Sequence, residues 1–429
     1  MKLYSENDSY KIYNGDMLDM LQVIKPESID AIVCDPPYEL GFMNKSWDST
    51  GIAFKKETWQ NCFEVLKPGG YLLAFGGSRT YHRIACAIED AGFEIRDCVM
   101  YLYGCGFSKS YNIGLAIDKK NGVDNRTGNI RTDGVNNQNI CYDFKTMKPK
   151  FEERIAQNEW QGWGTCLKPA YEPIIVARKP FKSSVVDNII KYRVGGLNID
   201  ECRVKNTNAD NYDLEKRQVS KAVGSNNDGW FLDKMRNYST KHGVVDNGRF
   251  PANVITDGSE EVAKGMPNTT STPIAEESAM RYFYSAKASK KDRDEGLDAF
   301  EERKTTDGCI RANVETARKF GANSALRKNI HPTCKPTELM QYLVRLVSPK
   351  GATILDPFMG SGSTGKAVMF ENRERDANYK FIGIELTDEY LPIAQARIEY
   401  ARDKFKYDLE QEKVTKGKQN IFDFMESEE

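Results

Sequence analysis

Two rhythms of apolar and polar positions, short continuous apolar runs and helical spacing, follow one another at both ends of the chain. Near the N-terminus, "SIDAIVCD" (28–35) and "GGYLLAFGG" (69–77) are short continuous apolar runs, which predict strands buried on both faces. "ETWQNCFEVLKPGG" (57–70) has helical spacing and predicts a helix halted by Pro68 and the glycines after it. "SRTYHRIACAIEDAG" (78–92) predicts a second helix, with Ser78 as N-cap and Gly92 as its stop. "FEIRDCVMYLYG" (93–104) returns to strand. The same alternation recurs near the C-terminus: "TELMQYLVRLVSPKG", "TGKAVMFENRE" and "TDEYLPIAQARIEYARDKF" predict helices, and "ATILDPF" and "YKFIGIEL" predict strands. Strands buried on both faces and separated by helices imply a parallel sheet flanked by helices.

Between these wings the texture changes. The middle is rich in Asn, Gly, Asp and Lys, with scattered apolar runs such as "YEPIIVARKP" and "FPANVITDG". "NGVDNRTGNIRTDGVNNQN" (121–139) predicts a loop. A structureless connection of this length inside a compact domain is unusual, so the middle is expected to be a module with its own task. The expected organisation is one wing at 1–115, an insert at 116–328, a second wing at 329–408 and a solvated tail at 409–429.

Composition narrows the function classes. With 40% hydrophobic and 29% charged residues among 429, the chain has ordinary globular composition. "MKLYSENDSYK" has no apolar core of a signal peptide, and no apolar run approaches the roughly 20 residues of a membrane span. The expectation is a soluble, cytoplasmic protein. Ten cysteines without a C-x-x-C pair, and three scattered histidines, predict reduced thiols and no zinc site. A net charge of −1 argues against a polybasic coat but is compatible with a local basic groove.

Two motifs carry candidate chemistry. In "ILDPFMGSGSTGKA" (354–367), Gly360, Gly362 and Gly365 form G-x-G-x-x-G between a predicted strand and helix, and Glu385 follows 20 residues after Gly365. Glycines let the backbone approach a ligand, and an acid at that distance takes ribose hydroxyls. Gly360, Gly365 and Lys366 also nearly spell a phosphate-binding P-loop, but Ala367 stands where that motif needs a hydroxyl for Mg²⁺. The loop alone leaves NAD, FAD and S-adenosylmethionine open.

The second motif, "DPPY" (35–38), follows an apolar strand. An exocyclic amine on a nucleobase attacks poorly because its lone pair is delocalised into the ring. Acceptors on both N–H bonds localise that lone pair; the Asp35 carboxylate and the Pro36 carbonyl are suited to this. Proline fixes φ and brings a carbonyl without a competing N–H, and Tyr38 can stack on a base taken out of its duplex. The alternative is a Pro-Pro turn with Asp35 capping and Tyr38 in the core.

With these motifs in view, the chain resembles the S-adenosylmethionine-dependent DNA amino-methyltransferases, which modify adenine N6 or cytosine N4. "DPPY" is similar to their catalytic motif, "DPFMGSGSTG" to their cofactor loop, and "HPTCKPTELM" (331–340) to the segment preceding that loop. The order is that of the permuted β group, and "GWGTCLKPAYEPIIVARKP" resembles members carried by phages and mobile elements. The resemblance implies an α/β fold: a doubly wound, mostly parallel, Rossmann-like and circularly permuted methyltransferase core with a large central recognition insert. It implies Asp35, Pro36, Pro37 and Tyr38 as the catalytic motif. It implies Asp16, His331, Lys335, Pro336, Asp356, Phe358, Gly360, Gly362, Thr364 and Glu385 around S-adenosylmethionine, with His331, Lys335 and Pro336 on its methionine side. Asp35, where many cytosine-N4 members carry serine, favours adenine N6.

The implied partner is double-stranded DNA, with a homodimer and a separately encoded cognate restriction endonuclease as further candidates. Lys45, Trp47, Lys168 and Arg178 are candidate nucleic-acid contacts. Trp160 and Trp163, flanked by glycines, are expected in a hinge or local core, and the mixed-sign "KASKKDRDEG" suggests no site. Rival readings are the same chemistry on cytosine N4 or on RNA, a nicotinamide-dependent oxidoreductase, and a non-catalytic DNA-binding protein.

Overall fold

The computed structural model describes residues 2–40, 46–104, 110–130, 141–142, 149–150, 152–205, 244–245, 248–269, 277–286, 290–304 and 326–403. Contacts divide the chain into two units, 1–104 with 171–299 and 331–429, and 105–170 with 300–330.

The first unit is built on one ten-stranded sheet. Its N-terminal elements are β1 (Lys2–Glu6), β2 (Tyr10–Asn14), α1 (Met17–Leu21), β3 (Ile29–Cys34), α2 (Lys56–Val65), β4 (Leu66–Phe75), α3 (Tyr81–Asp90) and β5 (Glu94–Leu102). The middle of the chain adds β6 (Tyr171–Arg178), α4 (Val185–Tyr192), β7 (Val254–Thr256), β8 (Tyr284–Ser285) and α5 (Lys290–Asp294). The C-terminal part adds α6 (Thr337–Val347), β9 (Thr353–Asp356), α7 (Ser363–Arg375), β10 (Lys380–Glu385) and a helix over 391–403.

The strands lie in the order β1-β2-β10-β9-β3-β4-β6-β5-β7-β8. From β2 to β4 every neighbour is parallel; β6 runs antiparallel between β4 and β5. Along β3, Ala31 and Val33 face one core with α6 and α7, while Ile32 and Cys34 face another with α1, α2 and α3. Helices on both faces make the sheet doubly wound, as the continuous apolar runs predict.

Two local expectations change and one holds. The helix over 56–65 ends before Pro68: its C-cap Leu66 already takes the extended conformation that starts β4, and the strand runs on through Lys67, which precedes the proline. Ser78 is not the cap of α3: a turn precedes the helix and Thr80 holds the N-cap position without a side-chain bond. Gly92 does follow the helix, at φ 106°.

The middle is also not one insert over 116–328. "EPIIVA" pairs on both sides, with β4 and with β5, and Ile174–Ala177 are buried. A strand apolar on both faces is most stable inside a sheet, so residues 171–299 join the first unit.

In the second unit, a helix at Ile113–Lys120 is capped by Asn112, and strands Arg126–Ile130 and Glu152–Arg154 pair antiparallel. Buried Asp118 accepts from Gln157 N (2.7 Å) and Asn158 Nδ2 (2.6 Å). The expected loop at 121–139 thus contains a strand; its remainder from 131, and the tail over 409–429, lie outside the described residues. Trp160 and Trp163 meet edge to face at 5.0 Å on the surface, Trp163 being 57% exposed, and so do not form a local core. Among the described residues no helix is long and apolar enough to cross a membrane.

Helices α6 and α7 are locked by a buried ion pair. Arg345 donates Nε to Glu371 Oε2 (3.0 Å) and Nη2 to Oε1 (2.5 Å). Breaking a buried pair leaves one uncompensated charge. Glu371→Ala is expected to lower the unfolding free energy by about 3 kcal/mol, measured by urea unfolding followed by circular dichroism.

Candidate active site

The sheet changes winding direction between β9 and β3. From β9 the chain passes through α7 to β10 on one side; from β3 it passes through α2 to β4 on the other. In open α/β sheets the crevice beyond the carboxyl ends of the strands at such a point is where ligands bind. Here it joins the two sequence motifs: Asp35 follows β3 and Asp356 ends β9. Thr364 sits between them, donating Oγ1 to Asp356 Oδ2 (2.6 Å), with Val33 O at 3.4 Å.

Asp35 to Tyr38 leave the end of β3 outside any helix or strand, with Pro36 buried. The Lys335 ammonium lies 2.8 Å from Asp35 Oδ2 and 3.2 Å from Glu172 Oε2, and donates to the Tyr38 hydroxyl at 3.0 Å. Tyr38 in turn donates to Glu172 Oε2 at 3.3 Å. Burial disfavours the charge of Lys335, but Asp35 and Glu172 outweigh it and hold its pKa above the usual range. Burial and the same two carboxylates push the Tyr38 phenol far upward, so it stays protonated. Asp35 Oδ1 is buried and has no hydrogen-bond partner among the described residues. An acceptor in that state favours any ligand that brings an N–H.

Space and direction at the motif come from its neighbours. The Tyr38 ring packs on Gly77, where a Cβ would stand 3.2 Å from the ring. Asp48, buried, accepts from the backbone N–H of Glu39 (2.9 Å) and Leu40 (3.2 Å), tying down the start of the loop that follows.

In the glycine loop, Gly362 takes φ 75° at the N-cap of α7, and a Cβ there would meet the Ala394 backbone at 2.9 Å. Only glycine combines that conformation with that approach. Lys366 is fully buried and turned away from the loop, bonded to Asp292 Oδ1 (2.7 Å) and paired with Glu295 (3.0 Å). Its amine is therefore committed to an internal ion pair, and the P-loop alternative loses its phosphate ligand. Asp292 also accepts from Thr337 N (2.7 Å), and Arg397, fully buried, donates to Ser361 O (2.7 Å).

The rest of the cluster is acidic. Glu385 accepts from Gly360 N (2.8 Å) and Thr387 N (2.7 Å), and burial raises its pKa against those bonds. Asp356, bonded to Thr364 and to Phe358 N (3.0 Å), is pushed up to about 7 by burial, with Asp35 and Glu385 adding repulsion. His331 packs edge-on against Tyr390 (4.5 Å) and over Gly360; burial lowers it to about 4, and its Nδ1–H donates to Thr333 O. Pro336 occupies the N-cap position of α6. Asp16 caps α1 by accepting from Leu18 N (2.8 Å), beside Glu385, whose carbonyl accepts from Gly15 N (3.0 Å). An anionic lining of this kind repels a pyrophosphate and suits a cationic ligand.

The structure thus gathers Asp35–Tyr38 and the glycine-loop residues at one edge of the sheet. It places Lys335 at Asp35 rather than apart from it. Arg178 is not brought here: it lies at the opposite end of β6, paired with Glu94 (2.7 Å) and stacked on Phe181. Lys168 is exposed in the second unit, and Lys45 and the Trp47 side chain lie outside the described residues. Glu172, Asp292 and Arg397 were not singled out from the sequence. A carboxylate heading an apolar run was a visible signal for Glu172; nothing marked Asp292.

Asp356 gives a pH test. Its folded pKa stands above the usual carboxylate value, so its contribution favours the fold at low pH and is lost as pH rises through about 7. Asp356→Asn should therefore melt on the order of 2 °C higher than the parent at pH 8, with the gap narrowing below about pH 7 and closing below about pH 4, as read by scanning calorimetry of the ligand-free protein.

A family model for DNA methylases, N6_N4_Mtase, matches residues 29–396. Type II methyltransferase M.HindIII of Haemophilus influenzae is 24% identical over 229 residues, covering 44% of this chain and 64% of that protein. DNA adenine methyltransferase YhdJ of Escherichia coli is 38% identical over 71 residues, 17% of this chain and 22% of the relative. The chain therefore spans less than two thirds of the length of either. The solved PvuII DNA methyltransferase, cytosine-N4-specific, aligns over 92% of this chain and 90% of its own with 14% identity and a TM-score of 0.39. By the match along residues 29–396, the chain belongs to the N6_N4_Mtase family of DNA methylases.

Proposed function

We propose that this protein transfers a methyl group from S-adenosylmethionine to the N6 amine of an adenine flipped out of duplex DNA. The observation that carries the reading is the unpartnered, buried Asp35 Oδ1 at the switch point, beside a glycine loop lined by acids. The cofactor fits this lining. It is cationic at sulfur and at its amino group, and Asp356, whose carboxyl is neutralised in part for want of a counter-charge, is suited to the latter. Gly360 and Gly362 give the backbone room, Glu385 retains acceptor capacity for ribose hydroxyls, and His331, Pro336, Phe358 and Thr364 shape the walls. Asp16 is assigned to the same edge of the sheet.

S-adenosylmethionine supplies, when bound, an electrophilic methyl group. The chain supplies the nucleophile's geometry. Asp35 Oδ1 and the Pro36 carbonyl accept the two N–H bonds of the amine and draw it toward a pyramidal shape. Tyr38 stacks on the base, its hydroxyl held by Lys335 and Glu172. As the amine becomes cationic, the Asp35 carboxylate stabilises the developing charge and accepts the departing proton.

Aspartate rather than serine at position 35 supports adenine over cytosine. The second unit, which exposes Trp163, Leu167 and Lys168, is assigned to reading the target sequence.

Expression in a methylation-free host followed by single-molecule sequencing tests the reading. The expected outcome is one modified adenine in a fixed short context, reduced by about 10³-fold in Asp35→Ala. Modified cytosine would overturn the base assignment, and unmodified DNA from soluble protein would overturn the reaction.

A further inference from the structure

We propose that Glu172 is a positioning residue for this reaction, acting on Asp35 through Lys335. The inference rests on the methyl-transfer reading above. Glu172 stands at the start of β6, the antiparallel strand, and so reaches the same edge of the sheet as the ends of β3 and β9.

The Lys335 ammonium has three protons and three acceptors within reach: Asp35 Oδ2, Glu172 Oε2 and the Tyr38 oxygen. Phe75 and Tyr38 lie under it, with ring centroids 4.9 Å and 5.2 Å away. Its side chain is 9% exposed, against 22% for Asp35 and 25% for Glu172. The arrangement has two consequences. Lys335 holds Asp35 by Oδ2 and so leaves Oδ1 as the free acceptor. Asp35, Glu172 and Lys335 together carry one net negative charge, so the lysine is shared and Asp35 keeps its pull on a developing cation. With a neutral residue at 172, the lysine would answer Asp35 alone, and the cluster would be electrically balanced before the amine arrives. Glutamine at 172 keeps a carbonyl acceptor for the Tyr38 hydroxyl, so the change removes the charge that Lys335 answers and leaves that bond in place. Glu172 touches neither base nor cofactor in this assignment.

The test uses the full chain, tritiated S-adenosylmethionine and total DNA from a methylation-free host. Glu172→Gln is expected to lower kcat by about 10–100-fold with S-adenosylhomocysteine affinity unchanged within threefold by calorimetry. Glu172→Asp, which keeps the charge, recovers most of the rate. In a Lys335→Met background, Glu172→Gln costs nothing further, because the group it acts through is gone; a residue with only a structural role would cost the same in both backgrounds. Turnover of Glu172→Gln within twofold of the parent, equal losses in both backgrounds, or no recovery in Glu172→Asp overturns the assignment. A parent chain that labels no DNA overturns the methyl-transfer reading itself and this assignment with it.

Discussion

Several carboxylates gathered at one edge of a sheet oppose each other, and burial makes each of them more costly to ionise. Asp35, Glu172, Asp356 and Glu385 meet that constraint at the carboxyl end of β3, β9 and β10 and the amino end of β6. The fold resolves it unevenly. Lys335 answers Asp35 and Glu172, backbone N–H groups answer Glu385, and Asp356 is left partly neutral. What remains is one open acceptor and an appetite for positive charge, which is the chemistry a methyl donor bearing a sulfonium would satisfy.

Cations elsewhere in this half of the molecule are spent on architecture. Lys366 and Arg397 are both fully buried, one holding Asp292 and Glu295, the other the Ser361 carbonyl. They fix the start of α7 and the turn of the glycine loop against α5. The segment "KKDRD", unremarkable as a string of mixed charges, is thus the brace behind the loop.

Much of this was legible in the chain because parallel strands buried on two faces leave continuous apolar runs, and because backbone approach demands glycine at fixed spacing. The strands around "SIDAIVC" and "ATILD", the helix after the glycine loop, and the meeting of Asp35 with the loop all follow from such signals. Less legible was β6. An antiparallel strand presents its first residues to the edge where its parallel neighbours present their last, so Glu172 was overlooked while Arg178, at the far end, drew attention. Asp292 was illegible because an ion pair across some 70 residues leaves no local pattern. Ser78 misled because a cap is defined by the turn before a helix, not by residue type alone.

The strand order bears on how such a chain must be made. The two strands at the middle of the sheet's parallel half, β9 and β10, are translated after every other strand in it, yet they lie between β2 and β3, which are among the first. Until they emerge from the ribosome, β3 has one open apolar edge and no partner for it. Closure of the sheet therefore waits until β10 has been made, which gives it a high contact order and a slow, non-local pairing step. The waiting edge is where a nascent chain would need protection from pairing with its neighbours.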